Sequence, residues 1–144
     1  MKRFFDETLH ATNTWLHELT SRLDLKDRQQ GYRLLRVCMH TLRDSLSVNA
    51  SANLSAQLPM LIRGIYYEAW QPEHLPKRAR TLEEFLTPID EAFSASPDFD
   101  AAAGFQEFIS VTRLHVSAGE MNRLQKNMTD DVKRLWEDYR GVTE

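Results

Sequence analysis

The feature that most limits the fold is a self-similarity. Displaced against itself by 70 positions, without a gap, the chain sets apolar residue on apolar residue. Trp15 falls on Phe85, Leu16 on Leu86, Leu19 on Ile89, Leu23 on Phe93 and Leu35 on Phe105. The register continues through Cys38 and Phe108, Met39 and Ile109, Leu46 and Val116, Leu54 and Leu124, Leu58 and Met128, Ile62 and Val132, Ile65 and Leu135, and Tyr66 and Trp136. Polar positions between them mostly differ, as expected of a duplicated unit that keeps its packing face while its surface drifts. A chain of 144 residues buries about two-thirds of its unfolded surface, so both units fit one domain, residues 1–144, around one core.

The unit is helical. Phe5, Leu9, Leu16, Leu19 and Leu23, with Thr12 at the missing step, recur at intervals of three and four, as do Tyr32, Leu35, Cys38, Met39, Leu42 and Leu46. Ser47 is placed to cap a short third helix ending near Gln57, and Pro59 opens a fourth running to Trp70. Gln71 to Arg80, with two prolines and no apolar period, reads as an extended connector. In the second unit, Thr81 with Glu84 and Ser117 with Glu120 have the form of capping boxes, and Ser96-Pro97 has that of a helix start. Pro88, inside the first helix of that unit, is expected to kink or restart it. The prediction is an all-α, bundle-like domain of two pseudo-symmetric repeats, about 3–70 and 81–140, with three to four helices each.

The stretch LPMLIRGIYYEAW, 58–70, breaks the symmetry. On a helix, Leu58, Leu61, Ile62, Ile65 and Ala69 form a core face with Tyr66 at its edge. The other side carries Met60, Gly64 and Tyr67, flanked by Trp70, with Arg63 and Glu68 the only charges. In the second unit the core face is Met128, Val132, Leu135, Trp136 and Tyr139, and the outer face is charged. A helix apolar all round is normally buried on both sides, here as a central helix between the repeats, in a homodimer, or under a partner or ligand. Gly64 in mid-helix costs about 1 kcal/mol against Ala, which points to a close approach at its backbone. Arg63 and Tyr67, four apart, are spaced for a cation–π stack, and Glu68 for an ion pair with a basic residue of the connector.

Composition narrows the chemistry. A net charge of −3 with both signs interspersed argues against a polyanion partner, and Lys77, Arg78 and Arg80 make too small a basic cluster for nucleic acid. No apolar run approaches a membrane span, MKRFFDETLH does not resemble a leader, and the expected compartment is the cytoplasm. The single cysteine, Cys38, lies on an apolar face, where burial makes a thiol inert. His10 and His17 are roughly 10 Å apart along a helix, too far to share a metal, and His40, His74 and His115 lack ligands at metal spacing. No phosphate, zinc or acyl-transfer signature occurs, so no catalytic residue, metal or cofactor is expected.

Leu58, Pro59, Arg63, Gly64, Tyr66, Tyr67, Trp70 and Pro72 form a succession that resembles the signature of the domain of unknown function 2267 family. Leu42-Arg43-Asp44, Pro76, Lys77, Arg78 and Glu84-Phe85-Leu86 extend the similarity, which covers about Trp15 to Tyr139. The resemblance implies a small bacterial all-helical protein of two similar halves, and no activity. Ala69 departs from it where glycine is usual, and so does Pro88. Two functions remain open. One is a non-catalytic interaction module that uses Met60, Arg63, Gly64, Tyr67, Glu68 and Trp70 for self-association or a protein partner. The other is a small-ligand-binding protein or enzyme with a pocket between the repeats lined by Arg63, Tyr67, Glu68 and Trp70.

Overall fold

The computed structural model describes the backbone of residues 2–143 and the side chains of 3–137. Within them the chain is all-helical: α1 (Lys2–Leu23), α2 (Arg28–Asp44), α3 (Val48–Ser55), α4 (Met60–Tyr67), α5 (Leu82–Ala92), α6 (Ala101–His115), α7 (Ala118–Lys126) and α8 (Asp130–Thr143). None is long and apolar enough to cross a membrane.

The helix starts follow local chemistry. The Asp27, Ser47, Thr81, Asp100 and Ser117 side chains each accept a backbone N–H three residues on, satisfying a donor that the first turn leaves open. Ser47, Thr81 and Ser117 cap where the sequence places them, but Ser96-Pro97 does not begin a helix. The Phe99 N–H bonds to the Ser96 carbonyl at 2.9 Å, closing a turn that lays Phe99 on Phe93, 3.9 Å between ring centres. Asp100 then starts α6. Helix α5 runs through Pro88 without restarting, with the proline on its exposed side.

Helices α2 and α6 form the centre. Helix α2 packs on α1, α4, α5 and α6, and α6 on α1, α2, α5 and α8. Contacts come in pairs under the 70-residue shift: α1 lies on α6 as α5 lies on α2, and α2 on α4 as α6 on α8. Every apolar pair of that register is buried in both members except at Leu23 and Ile65, which are half-buried. Tyr139 lies outside the described side chains. Cys38 is fully buried, and desolvation pushes its thiol well above the usual range.

Two glycines serve the close approach of helices. A Cβ on Gly31 would sit 2.6 Å from Thr20 Oγ1, and one on Gly104 would sit 2.8 Å from Phe99 Cζ and 3.3 Å from Leu34 Cδ1. At these positions a side chain would have to displace a neighbour.

Helix α4 departs from the sequence reading in extent and place. It stops at Tyr67, because Glu68 turns extended and Ala69 adopts φ 59, the left-handed conformation that ends helices. It is not central: it rests on α2 and α1, burying Ile62 and Tyr66 below Leu58. Leu61, expected in the core, is 41% exposed, and Met60 is 60% exposed. Left-handed geometry costs an alanine roughly 1 kcal/mol. Ala69→Gly is therefore expected to raise stability by about 0.5–1 kcal/mol in urea denaturation, whereas an unchanged or lower value would show that the turn is not strained.

Candidate functional site

The conspicuous motif, 58–70, acts first as a corner between α3 and α4. Arg63 donates from Nε to the Ser55 carbonyl at 3.0 Å and from Nη2 to the Leu58 carbonyl at 2.9 Å. These groups lie where α3 ends, and a cation there also meets the negative end of the helix dipole. Cation–π contacts among the described residues are Arg33 over Phe93 and Arg113 over Trp136, so the expected Arg63–Tyr67 stack is replaced by carbonyl capping. Both tyrosines reach back to α3. Tyr66 donates to Ser51 Oγ at 2.8 Å, and burial drives its pKa far above the usual range. Tyr67 Oη lies 2.6 Å from Ser55 Oγ; since Ser55 donates its one proton to the Ala52 carbonyl, Tyr67 is the donor.

The other end of α4 is held by a residue that the sequence reading did not single out as a site. Arg43, 4% exposed, donates through Nη1 to the Tyr66 carbonyl at 2.8 Å and the Glu68 carbonyl at 2.7 Å, and through Nε to Asp44 Oδ1 at 2.9 Å. Trp70 folds back on Tyr67, 5.0 Å between ring centres. Glu68 pairs with Arg36 of α2 at 2.8 Å, not with the connector, and that partner lowers its pKa. Both side chains are well exposed, so the pair adds little. Arg63, Tyr66, Tyr67 and Arg43 thus bind α3, α4 and the following turn into one unit.

Two features of this region remain open to the outside. On α4, a Cβ at Gly64 would meet nothing within 4 Å, although the helix carries it in its interior. Met60 and Leu61, four and three residues before it, share its face. The Leu61 N–H bonds Thr8 Oγ1 of α1 at 2.9 Å, which brings this end of α4 to the stretch of α1 where Phe5 and Leu9, both expected in the core, are exposed.

The second opening lies beside the connector, residues 71–80. The connector makes one 3-10 turn at Pro72–His74 and then runs extended, tied to α2 by the Lys77 N–H on the Asp44 carbonyl at 2.7 Å. Beneath it, between α2 and α5, is a cleft of about 340 Å³. Its polar lining includes His40, Thr41, Asp44, Lys77, Glu84 and Glu91, over Phe85 and Pro88. Asp44 and Lys77 also line a neighbouring hollow of about 430 Å³ with Arg43 and Ala69. None of Met60, Arg63, Gly64, Tyr67, Glu68 or Trp70 lines either. The His40 Nε2–H donates to the Ile65 carbonyl at 2.7 Å, and burial lowers the pKa of the ring, so Nδ1 is left as an acceptor. Thr41 is 7% exposed and, among the described residues, its hydroxyl has no hydrogen-bond partner. The one signal in the sequence was the register itself, which sets Thr41 on Val111, its apolar isostere.

No curated protein matches the chain. The model of the family described as "Uncharacterized conserved protein (DUF2267)" matches residues 12–135. That span holds Arg43, the α3–α4 corner and both sides of the cleft, and the chain belongs to the domain of unknown function 2267 family.

Proposed function

We propose that the protein is a non-catalytic helical interaction module, and that the outer face of α4 with the adjoining end of α1 receives a second copy of the chain. The observation that carries this reading is Gly64. A mid-helix glycine costs about 1 kcal/mol against alanine. Gly31 and Gly104 offset that cost by admitting a neighbouring side chain, whereas none of the described residues fills the space beside Gly64. Exposed Met60 and Leu61 on the same face, with Phe5 and Leu9 beside them, supply apolar surface that folding leaves uncovered. A two-fold contact between two copies would set this patch against itself.

The same proposal takes residues of about 3–70 and 81–140 as two pseudo-symmetric halves joined by the connector. Support comes from the paired helix contacts and from the meeting of Leu34 with Gly104, which are equivalent positions of the two halves. Equivalent positions touch only near a two-fold axis.

Gly64→Ala separates the reading from a purely structural one by sign. The variant is expected to gain about 0.5–1 kcal/mol of monomer stability, because alanine is the better helix former and nothing obstructs its methyl. Its self-association, followed by sedimentation equilibrium, is expected to weaken at least several-fold. Gain of stability with unchanged association would remove Gly64 from any interface.

A further inference from the structure

Under the 70-residue shift, the cleft between α2 and α5 has its counterpart between α6 and α1. At that counterpart a side chain of the protein itself spans the two helices. His115, at the end of α6, stacks on Trp15 of α1, with 4.8 Å between ring centres and 20° between planes. Its Nε2 lies 2.7 Å from Glu18 Oε1. The three residues of this contact fall on Ser45, Phe85 and Pro88, and all three line the cleft. Ser45 puts a hydroxymethyl group where His115 puts an imidazole, Phe85 is the smaller ring, and Pro88 carries no carboxylate. The cleft therefore lies where these exchanges remove side-chain volume, and the aromatic wall that receives the ring is kept. An acceptor is kept as well. Pro88 has no N–H to give the Glu84 carbonyl one turn back in α5, so that carbonyl lacks its ordinary helical donor. The Glu84 carboxylate is already engaged, since its Oε1 accepts the Arg80 N–H at 3.1 Å. On the connector side, Lys77 supplies a donor.

We propose that the cleft binds a small planar heteroaromatic ring of the imidazole kind, lying on Phe85 as His115 lies on Trp15. The ring N–H goes to the Glu84 carbonyl and the bare nitrogen faces Lys77. At about 340 Å³, the cleft holds such a ring with room for a substituent. This site rests on the pairing of the two halves proposed above, and not on self-association at α4.

The test is an NMR titration of the full chain with 4-methylimidazole, the free equivalent of the His115 side chain, and with its isomer 1-methylimidazole, which has no ring N–H when neutral. The first is expected to give saturable amide shifts at Ser45, Ala79 and Phe85, a Kd on the order of 1 mM, and intermolecular NOEs to the Phe85 ring. The isomer is expected to bind several-fold more weakly. Ser45→His, which copies His115, is expected to abolish the shifts and to raise the melting temperature by about 2–4 °C, because the side chain then supplies the ring. Absence of saturable shifts in the wild-type chain, equal binding of the isomer, or binding that Ser45→His leaves unchanged would overturn the ligand while the pairing of the halves stood. A lower melting temperature for Ser45→His would overturn the equivalence of positions 45 and 115, and the site with it.

Discussion

Arg43→Ala is expected to lower the stability of the chain by about 3 kcal/mol, a fall of roughly 10 °C in melting temperature. The guanidinium is buried, and three acceptors depend on it: the carbonyls of Tyr66 and Glu68 and the carboxylate of Asp44. Hydrogen bonds to a charged donor contribute about 1.5–3 kcal/mol each, and truncation leaves the Tyr66 carbonyl buried and unpaired. It also removes the positive charge at the C-terminal end of α4 and empties the volume of the Arg43 side chain. Arg43→Lys should recover little of this, since one ammonium on a flexible stem cannot serve acceptors arranged for a planar fork. Urea denaturation of the two variants checks both statements. A loss below about 0.5 kcal/mol for the alanine variant would mean that the turn after α4 stands without its cap.

Gly104→Val is expected to cost about 2–3 kcal/mol by overpacking the contact between the two central helices. The Cβ alone would meet Phe99 Cζ at 2.8 Å, and Leu34 Cδ1 is only 3.3 Å away on the other side. Phe99 cannot retreat freely because its ring is stacked on Phe93. Valine adds two further methyl groups and a stiff χ1 in a helix, so the strain falls on α2, α6 or both. The contrast with Gly64 is internal to the molecule: the same residue type is destabilised by a side chain at 104 and stabilised by one at 64. Thermal and urea unfolding measure both, and similar values for the two sites would contradict the packing described for Gly104.

Much of the fold was legible in the sequence because a repeated apolar register is a record of burial. Trp15, Leu19, Leu35, Cys38, Phe105, Phe108 and Trp136 are core residues as that register demands. Caps at Ser47, Thr81 and Ser117 were legible because a cap is local chemistry within four residues. The end of α4 was not, since Arg43, which takes its last carbonyls, lies more than twenty residues upstream, and hydropathy carries no sign of a carbonyl. Periodicity also cannot tell a covered apolar face from an uncovered one. Phe5, Leu9 and Leu61 have core character by spacing, yet among the described residues they are exposed. For the same reason Arg63 and Tyr67 read as a binding pair, when their reach to Ser55 depends on how sharply α3 meets α4. The cleft between α2 and α5 was less legible still. It joins residues of 40–45 to residues of 77–91, and only the mismatch of Thr41 with Val111 hinted at a polar requirement.

The solution mass tests most directly whether the exposed α1–α4 face is an interface between two copies of the chain. Light scattering of the purified chain is expected to give twice the 16.8 kDa of one chain. The Met60→Lys, Leu61→Lys double variant is expected to give 16.8 kDa with an unchanged helical circular dichroism spectrum, because both side chains are already in solvent in the monomer. A wild-type protein that stays at 16.8 kDa up to high micromolar concentration, or a dimer that the double variant leaves intact, would contradict the account.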